Sequence, residues 1–129
     1  MRLVSVLENQ NIEKRIAVTP EIAKKYISLG IDVSLQKNYG AHLGFNDNSY
    51  KELGVEILNE EKDILNKADI VIQLGLPSDD KLSILKENQS IIGVLNPYSN
   101  KEKINDLIKK KINSFSLELL PRITRAQSM

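Results

Sequence analysis

The sequence predicts an α/β domain with a mostly parallel sheet and helices on both faces. Short apolar, β-branched runs alternate with segments of helical periodicity along the whole chain, as expected for βαβ units. Two of these runs, Ile70–Ile72 and Ile91–Leu95, are continuously apolar, which is typical of strands covered on both faces. With 129 residues and no linker or repeat, we expect a single domain over residues 1–129 with its own core.

The first elements are predicted from local signals. Leu3–Leu7 is an apolar run suited to a buried strand. Thr19 followed by Pro20 indicates a helix start, because threonine caps free N–H groups and proline at the first helical position loses no hydrogen bond. Gly30 ends this helix, and Ile31–Gln36 then alternates apolar and polar residues as a half-buried strand does.

The later elements follow the same rhythm of strand and helix. In chain order we predict a surface loop over Asn38–Asn48, a short helical turn to Leu53 capped by Asp47 or Asn48, an extended piece Val55–Leu58, a helix Glu60–Lys67 capped by Asn59, a strand within Ala68–Leu74, a helix from Ser78 to Lys86, a strand Ser90–Leu95, a helix Lys101–Lys111 capped by Asn100, and a last strand Ser114–Leu120.

A parallel sheet of this kind binds ligands beyond the carboxyl ends of its strands. The loops predicted there are Glu8–Arg15, Gln73–Asp80, Asn96–Asn100 and Pro121–Met129. We therefore expect any site to be built from these segments.

Composition excludes several classes of function. A formal net charge of +1 and an aromatic content of 5% give neither the basic surface nor the stacking groups of a nucleic-acid-binding protein. The absence of cysteine excludes disulfides and thiol chemistry, and a single histidine argues against a zinc site. The N-terminal apolar run ends at Glu8, too early for a signal peptide or membrane span, which favours a soluble cytoplasmic protein.

No catalytic constellation is apparent from spacing alone. Gly40 and Gly44 lack the strand-then-helix context of a dinucleotide fingerprint, and no Ser–His–Asp set or carboxylate pair can be argued. His42 is expected to be an exposed loop residue. Arg15 is either a solvated charge, which the residues alone favour, or an anion contact near the helix that begins at Pro20.

The closing segment carries polar side chains at the end of a predicted strand. Arg122 and Arg125 are equally compatible with a functional role and with solvated charges. Gln127 offers both a donor and an acceptor, which is compatible with an amide-bearing ligand such as nicotinamide.

Several motifs together resemble those of a known family. The pattern Glu13-Lys14-Arg15-Ile16-Ala17-Val18-Thr19-Pro20 resembles the N-terminal domain shared by alanine dehydrogenases and nicotinamide nucleotide transhydrogenases. Further counterparts are Leu29-Gly30, Tyr39-Gly40-Ala41 and Ala68-Asp69-Ile70-Val71. The closing Leu120-Pro121-Arg122-Ile123-Thr124-Arg125-Ala126-Gln127-Ser128-Met129 resembles the motif of the transhydrogenase alpha subunit almost residue for residue. The resemblance covers the whole chain.

Two departures separate the branches of this family. Alanine dehydrogenases carry a substrate-binding lysine two residues before the proline matching Pro77, where this chain has Gly75. They also use a catalytic histidine after the next strand, where this chain has Asn96-Pro97. Oxidative deamination would lose its proton handling without these groups, whereas direct hydride transfer between two nicotinamides needs mainly positioning.

The resemblance thus implies a section of the NAD(H)-binding component of a proton-translocating NAD(P)+ transhydrogenase, with a flavodoxin- or Rossmann-like fold. It implies that Arg122 and Gln127 contact the nicotinamide region and act in hydride transfer, and Arg15 is assigned to cofactor binding with them. The glycine-rich nucleotide fold would lie beyond Met129, so the chain is expected to be a truncated N-terminal domain that is inactive alone.

Partners and location follow from the same resemblance. It implies a second copy of the NAD(H)-binding component, a membrane subunit that moves protons, an NADP(H)-binding domain, and a cytoplasmic position peripheral to the inner membrane. Two alternatives stay open: an amino-acid dehydrogenase related to alanine dehydrogenase, and a stand-alone, non-catalytic binding module.

Overall fold

The computed structural model describes residues 1–8, 13–95 and 99–116. The strands are β1 (Arg2–Ser5), β2 (Asp32–Gln36), β3 (Glu56–Leu58), β4 (Ile70–Ile72), β5 (Ser90–Gly93) and β6 (Asn113–Ser116). The helices are α1 (Pro20–Ser28), α2 (Asp47–Lys51), α3 (Glu61–Lys67), α4 (Asp79–Ile84) and α5 (Lys101–Lys109), with a 3₁₀ turn at Ala41–Leu43. Nearly every predicted element is present, most of them a few residues shorter than predicted; residues 117–120 of the predicted last strand lie outside the described residues.

The strands form one sheet in the order β3-β2-β1-β4-β5-β6, and every neighbouring pair is parallel. The predicted α/β class with a parallel sheet is therefore confirmed. This strand order is that of the Rossmann fold rather than that of flavodoxin. Because the order reverses direction between β1 and β4, the carboxyl ends of these two strands flank the topological switch point.

Helices cover both faces of the sheet. On one face α1 and α2 pack over β1 and β2, and on the other α3, α4 and α5 pack over β1, β4 and β5. The first core consists of Leu3, Val18, Ala23, Val33, Leu35, Tyr39, Tyr50 and Val55. The second consists of Val4, Val6, Ile64, Leu65, Ala68, Val71, Leu82, Leu85, Ile91, Leu95, Leu107 and Ile112.

Burial of the strands differs from the sequence prediction in both directions. The predicted polar face of β2 is wrong at Ser34, which is fully buried and whose Oγ accepts a hydrogen bond from Nη1 of Arg2 at 2.6 Å. Conversely, β4 and β5 are not buried on both faces within the described part of the chain. Val71 and Ile91 are buried, whereas Ile72 and its register neighbour Ile92 are only half-buried.

Two of the predicted helix caps are wrong. The cap of α2 is Asn46, whose Oδ1 accepts from the N–H of Ser49 at 2.8 Å, rather than Asp47 or Asn48. The residue before α3 is Glu60 rather than Asn59, and it makes no capping hydrogen bond through its side chain.

The remaining predicted caps occupy their expected positions. Thr19 caps α1 by accepting from the N–H of Ile22, which confirms the prediction made from Thr19 and Pro20. Ser78 and Asn100 precede α4 and α5 without a side-chain capping bond. The amide of Asn100 instead donates to the carbonyl of Leu95.

The segment Asn38–Asn48 is not the simple surface loop that its composition predicted. Tyr39 and Gly40 are buried, and the ring of Tyr39 packs edge-on against Tyr50 with 6.3 Å between ring centroids. Aromatic burial therefore draws this loop into the core beneath α1.

Two further findings bear on function. In the described residues, no helix is long and apolar enough to cross a membrane. Within the same ranges, no group of three or more histidine, aspartate or glutamate side chains is arranged to hold a metal ion.

Candidate functional site

A crevice of about 460 Å³ opens at the switch point, beyond the carboxyl ends of β1 and β4. Two of the loops expected to build a site, Glu8–Arg15 and Gln73–Asp80, contribute to it. It is lined by Leu7, Glu8, Glu13, Glu61, Gln73, Gly75, Leu76, Pro77, Ser78 and Lys81. A second groove of about 340 Å³ lies between the outer sides of α4 and α5, away from the strand ends that form ligand sites in this architecture.

The crevice exists because β1 stops short of its apolar run. The side-chain amide of Gln73 takes both backbone groups of Val6, with Val6 N–H donating to Oε1 at 2.8 Å and Nε2 donating to the Val6 carbonyl at 3.1 Å. On the other side, the N–H of Leu7 donates to Oε1 of Gln36 at 2.7 Å. Side chains thus replace the strand ladder, and the chain leaves the sheet with its backbone groups satisfied.

Glu8 is the polar group fixed most closely at the floor of the crevice. Its Oε1 accepts from the N–H of Leu74 at 2.6 Å and from Nε2 of Gln73 at 3.0 Å. Partial burial raises the pKa of Glu8, while hydrogen bonds from the backbone of Leu74 and Gly75 and the charge of Lys81 oppose that rise. Because Oε1 accepts both hydrogen bonds, the carboxylate is held in one orientation.

Lys81 lies on the opposite wall and is already engaged. Its Nζ donates to the carbonyl of Leu7 at 2.7 Å and lies 3.6 Å from Oε1 of Glu61. The Lys81 side chain is only 19% exposed. Among the crevice residues that the structure describes, Lys81 is the one cation, and its charge is shared between Glu61 and Glu8.

Arg15, predicted to bind the cofactor, is next to the crevice and is paired with Glu13. Its Nε and Nη2 each donate to the Glu13 carboxylate at 2.9 Å, and its backbone N–H donates to the same carboxylate. These hydrogen bonds, the side-chain ones above all, lower the pKa of Glu13 to about 2. The Arg15 side chain is 79% exposed, so the guanidinium faces solvent while its partner Glu13 lines the crevice.

The backbone that follows Arg15 is held from below by Tyr39. The hydroxyl of Tyr39 accepts from the N–H groups of Ala17 at 3.0 Å and Val18 at 3.2 Å. The same hydroxyl lies 2.9 Å from Oγ of Ser5, at the end of β1. Tyr39 therefore joins the segment after Arg15 to the strand that leads into the crevice.

The other predicted site residues have separate outcomes. Arg122, Arg125, Gln127 and the Asn96–Pro97 pair lie outside the described residues, so their roles stay predictions. His42 is exposed, as expected, and its Nε2 lies 2.6 Å from the carbonyl of Lys14. Gly75 lines the crevice.

Sequence patterns did not identify the polar residues that organise the crevice: Ser5, Glu8, Tyr39, Gln73 and Lys81. Glu8 and Gln73 carried a usable signal, since each follows an apolar run and thus marks a strand end. Tyr39 and Lys81 had none, because a tyrosine in a glycine-rich loop and a lysine in an amphipathic helix are ordinarily placed in solvent.

Comparison with known proteins was consistent with this architecture. The family model for the alanine dehydrogenase/PNT N-terminal domain matches residues 6–129. The first section of the NAD(P) transhydrogenase alpha subunit of Rickettsia prowazekii is 37% identical over 133 residues, covering all of this chain and 35% of the relative. Alanine dehydrogenase 1 of Staphylococcus aureus is 30% identical over 127 residues, covering 98% of this chain and 34% of the relative.

Among solved structures, the transhydrogenase from Sinorhizobium meliloti superposes with a TM-score of 0.89 and 31% sequence identity. That match covers 98% of this chain and 38% of the solved chain, so the sequence spans little more than a third of these relatives. The family model covers nearly the entire chain. The chain therefore belongs to the alanine dehydrogenase/PNT N-terminal domain family.

Proposed function

We propose that this chain is the N-terminal domain of the NAD(H)-binding component of a proton-translocating NAD(P)+ transhydrogenase. The complete protein would transfer hydride from NADH to NADP+, with NADP(H) bound on a partner domain. Residues 1–129 would precede a glycine-rich NAD-binding domain. A second copy of the component and a membrane subunit that moves protons would complete the assembly, which would hold the domain at the cytoplasmic side of the inner membrane.

The charge distribution in the crevice is the observation that carries this proposal. A dehydrogenase acting on alanine must bind a substrate carboxylate, which needs a cationic partner. The described crevice offers Lys81, already engaged with Glu61 and the Leu7 carbonyl, alongside the three carboxylates Glu8, Glu13 and Glu61. Such a crevice disfavours a small anionic substrate and suits a neutral or cationic ring such as nicotinamide.

The sequence comparison points the same way. Identity is 37% to the Rickettsia prowazekii transhydrogenase subunit and 30% to the Staphylococcus aureus alanine dehydrogenase. Gly75 lies in the crevice at the position where the resemblance places the substrate-binding lysine of alanine dehydrogenases. In the proposed enzyme Arg122 and Gln127 contact the nicotinamide, and Arg15 contributes to cofactor binding beside them.

The decisive experiment is performed on the complete subunit reconstituted with its partner components. NADH-dependent reduction of an NADP+ analogue supports the proposal, and alanine-dependent NADH production without transhydrogenation overturns it in favour of an amino-acid dehydrogenase. The 129-residue chain alone serves as a further arm. We expect no hydride transfer from it, because it lacks a dinucleotide fingerprint of its own.

A further inference from the structure

A chain of side-chain hydrogen bonds links the two walls of the crevice through the interior of the sheet. It begins at the N–H groups of Ala17 and Val18, passes through Tyr39, Ser5 and Gln73, and ends at the carboxylate of Glu8. Three strands or strand ends contribute to it, since Tyr39 follows β2, Ser5 ends β1 and Gln73 follows β4. The walls are therefore connected by directed contacts as well as by apolar packing.

The direction of each hydrogen bond can be assigned by counting donors. The Tyr39 oxygen already accepts two backbone N–H groups, so its own proton points to Oγ of Ser5, 2.9 Å away. The Ser5 hydroxyl then donates to Oε1 of Gln73 at 2.9 Å or to the carbonyl of Ile72 at 2.6 Å. The Gln73 amide finally donates to Glu8 at 3.0 Å.

Burial makes this chain rigid. Ser5, Tyr39 and Gln73 are 0%, 1% and 3% exposed, so water does not replace a broken link. Gln73 uses its full capacity, accepting from Val6 N–H and Ser5 and donating to the Val6 carbonyl and Glu8. A fully satisfied buried network fixes one arrangement, whereas losing a member leaves buried groups unpaired.

We propose that Tyr39, acting through Ser5 and Gln73, is a positioning residue that fixes the wall carrying Arg15 relative to the wall carrying Glu8. This inference rests on the proposed function, in which the crevice receives the nicotinamide end of the dinucleotide. Tyr39 touches no reactant in this scheme. Its effect is on the distance and orientation of the groups around the ring, to which hydride transfer is more sensitive than binding is.

The chain offers a matched control in Tyr50. Tyr50 is fully buried, packs edge-on against Tyr39 and donates to the Val18 carbonyl at 2.8 Å, and its hydroxyl is not a link between Ser5 and Gln73. Tyr50→Phe thus removes a buried hydroxyl from the same stretch of core without cutting the chain. Tyr39→Phe removes the acceptor of two N–H groups and the link to Ser5.

The test compares both variants in the complete, reconstituted subunit by two measurements. For Tyr39→Phe we expect single-turnover hydride transfer to slow by about tenfold or more while the NADH dissociation constant changes by less than about twofold. We also expect faster hydrogen exchange at the amide of Leu74, which lies on the opposite wall. Tyr50→Phe should leave the transfer rate and the Leu74 exchange rate unchanged.

An unchanged transfer rate in Tyr39→Phe, or an equal loss in Tyr50→Phe, overturns the inference, because either result reduces Tyr39 to an ordinary core residue. If Tyr39→Phe does not fold, Ser5→Ala cuts the same chain one link further on and must show the same split between transfer and binding. If the wild-type protein transfers no hydride, the proposed function fails. Leu74 exchange then decides the inference: a rise in Tyr39→Phe alone supports the coupling of the walls, and no rise rejects it.

Discussion

Gly93 lies directly against the backbone of Gln73: a Cβ added at Gly93 would overlap the Gln73 carbonyl oxygen and lie 3.0 Å from the carbonyl carbon. Both residues lie at the carboxyl ends of neighbouring strands, and Gln73 N–H donates to the carbonyl of Ile92 at 2.9 Å. Only a residue without a side chain permits this approach. Gly93 therefore fixes where Gln73 lies, and through Gln73 it fixes the position of Glu8.

Replacing Gly93 by alanine should destabilise the domain by about 1–3 kcal/mol, because the backbone of Gln73 must move to relieve the overlap. The matched control is Gly75→Ala, since a Cβ at Gly75 meets nothing within 4 Å. That variant should leave stability unchanged or raise it by about 0.4–1 kcal/mol through reduced freedom of the unfolded chain. Urea unfolding of both variants measures the difference, and equal stabilities would contradict the close approach.

The pair of Glu13 and Arg15 predicts a measurable titration. The pKa of Glu13 is lowered to about 2, chiefly by hydrogen bonds from Arg15. A carboxylate whose folded pKa is lowered stabilises the fold above its unfolded pKa, and this contribution is lost as the pH falls through the folded pKa. The window therefore extends from about pH 4.5 down to about pH 2.

Side-chain carboxyl NMR of Glu13 checks this window. In Arg15→Gln the midpoint should return towards the ordinary value of a glutamate, because both donating groups are removed. Lys14→Gln removes the same charge one residue away and should leave the midpoint near 2. A Glu13 midpoint that does not respond to Arg15→Gln would show that the pair does not form in solution.

The caps of α1 and α4 predict unequal effects of similar substitutions. The Thr19 hydroxyl accepts from the N–H of Ile22, whereas the Ser78 side chain makes no capping hydrogen bond. Thr19→Ala should therefore cost about 1 kcal/mol of stability, and Ser78→Ala much less. Thermal unfolding of the two variants gives the comparison, and a larger loss in Ser78→Ala would reverse the assignment of the caps.

The fold was predictable from sequence because its determinants are local. Thr19 with Pro20, and the run Ile70–Ile72, indicate a helix start and a strand without reference to the rest of the chain. The failures depend on distant partners. Ser34 is buried because Arg2, far away in sequence, supplies its hydrogen bond, and Tyr39 is buried because Tyr50 and Ser5 surround it. Periodicity contains no information about such pairs.

The site was predictable only in outline. The rule that ligands bind beyond strand ends correctly selected the loops after β1 and β4. Which side chains meet there depends on the strand order, because Gln73 follows β4 and reaches Val6 only if β4 lies beside β1. Sequence neighbours gave no indication of this pairing. A residue such as Lys81, on a helix that packs over the crevice, is located only by the tertiary fold.

In the complete subunit, Gln127→Ala should slow hydride transfer more than it weakens NADH binding. The amide of a glutamine matches the carboxamide of nicotinamide as donor and acceptor, so its loss disturbs ring orientation, while most of the dinucleotide keeps its contacts elsewhere. Errors of orientation act on the transfer step rather than on ground-state affinity. Single-turnover transfer measured beside equilibrium NADH binding separates the two effects. A variant that binds NADH more weakly yet transfers hydride at the wild-type rate would place Gln127 in ground-state binding, and would remove it from the set of residues that orient the ring.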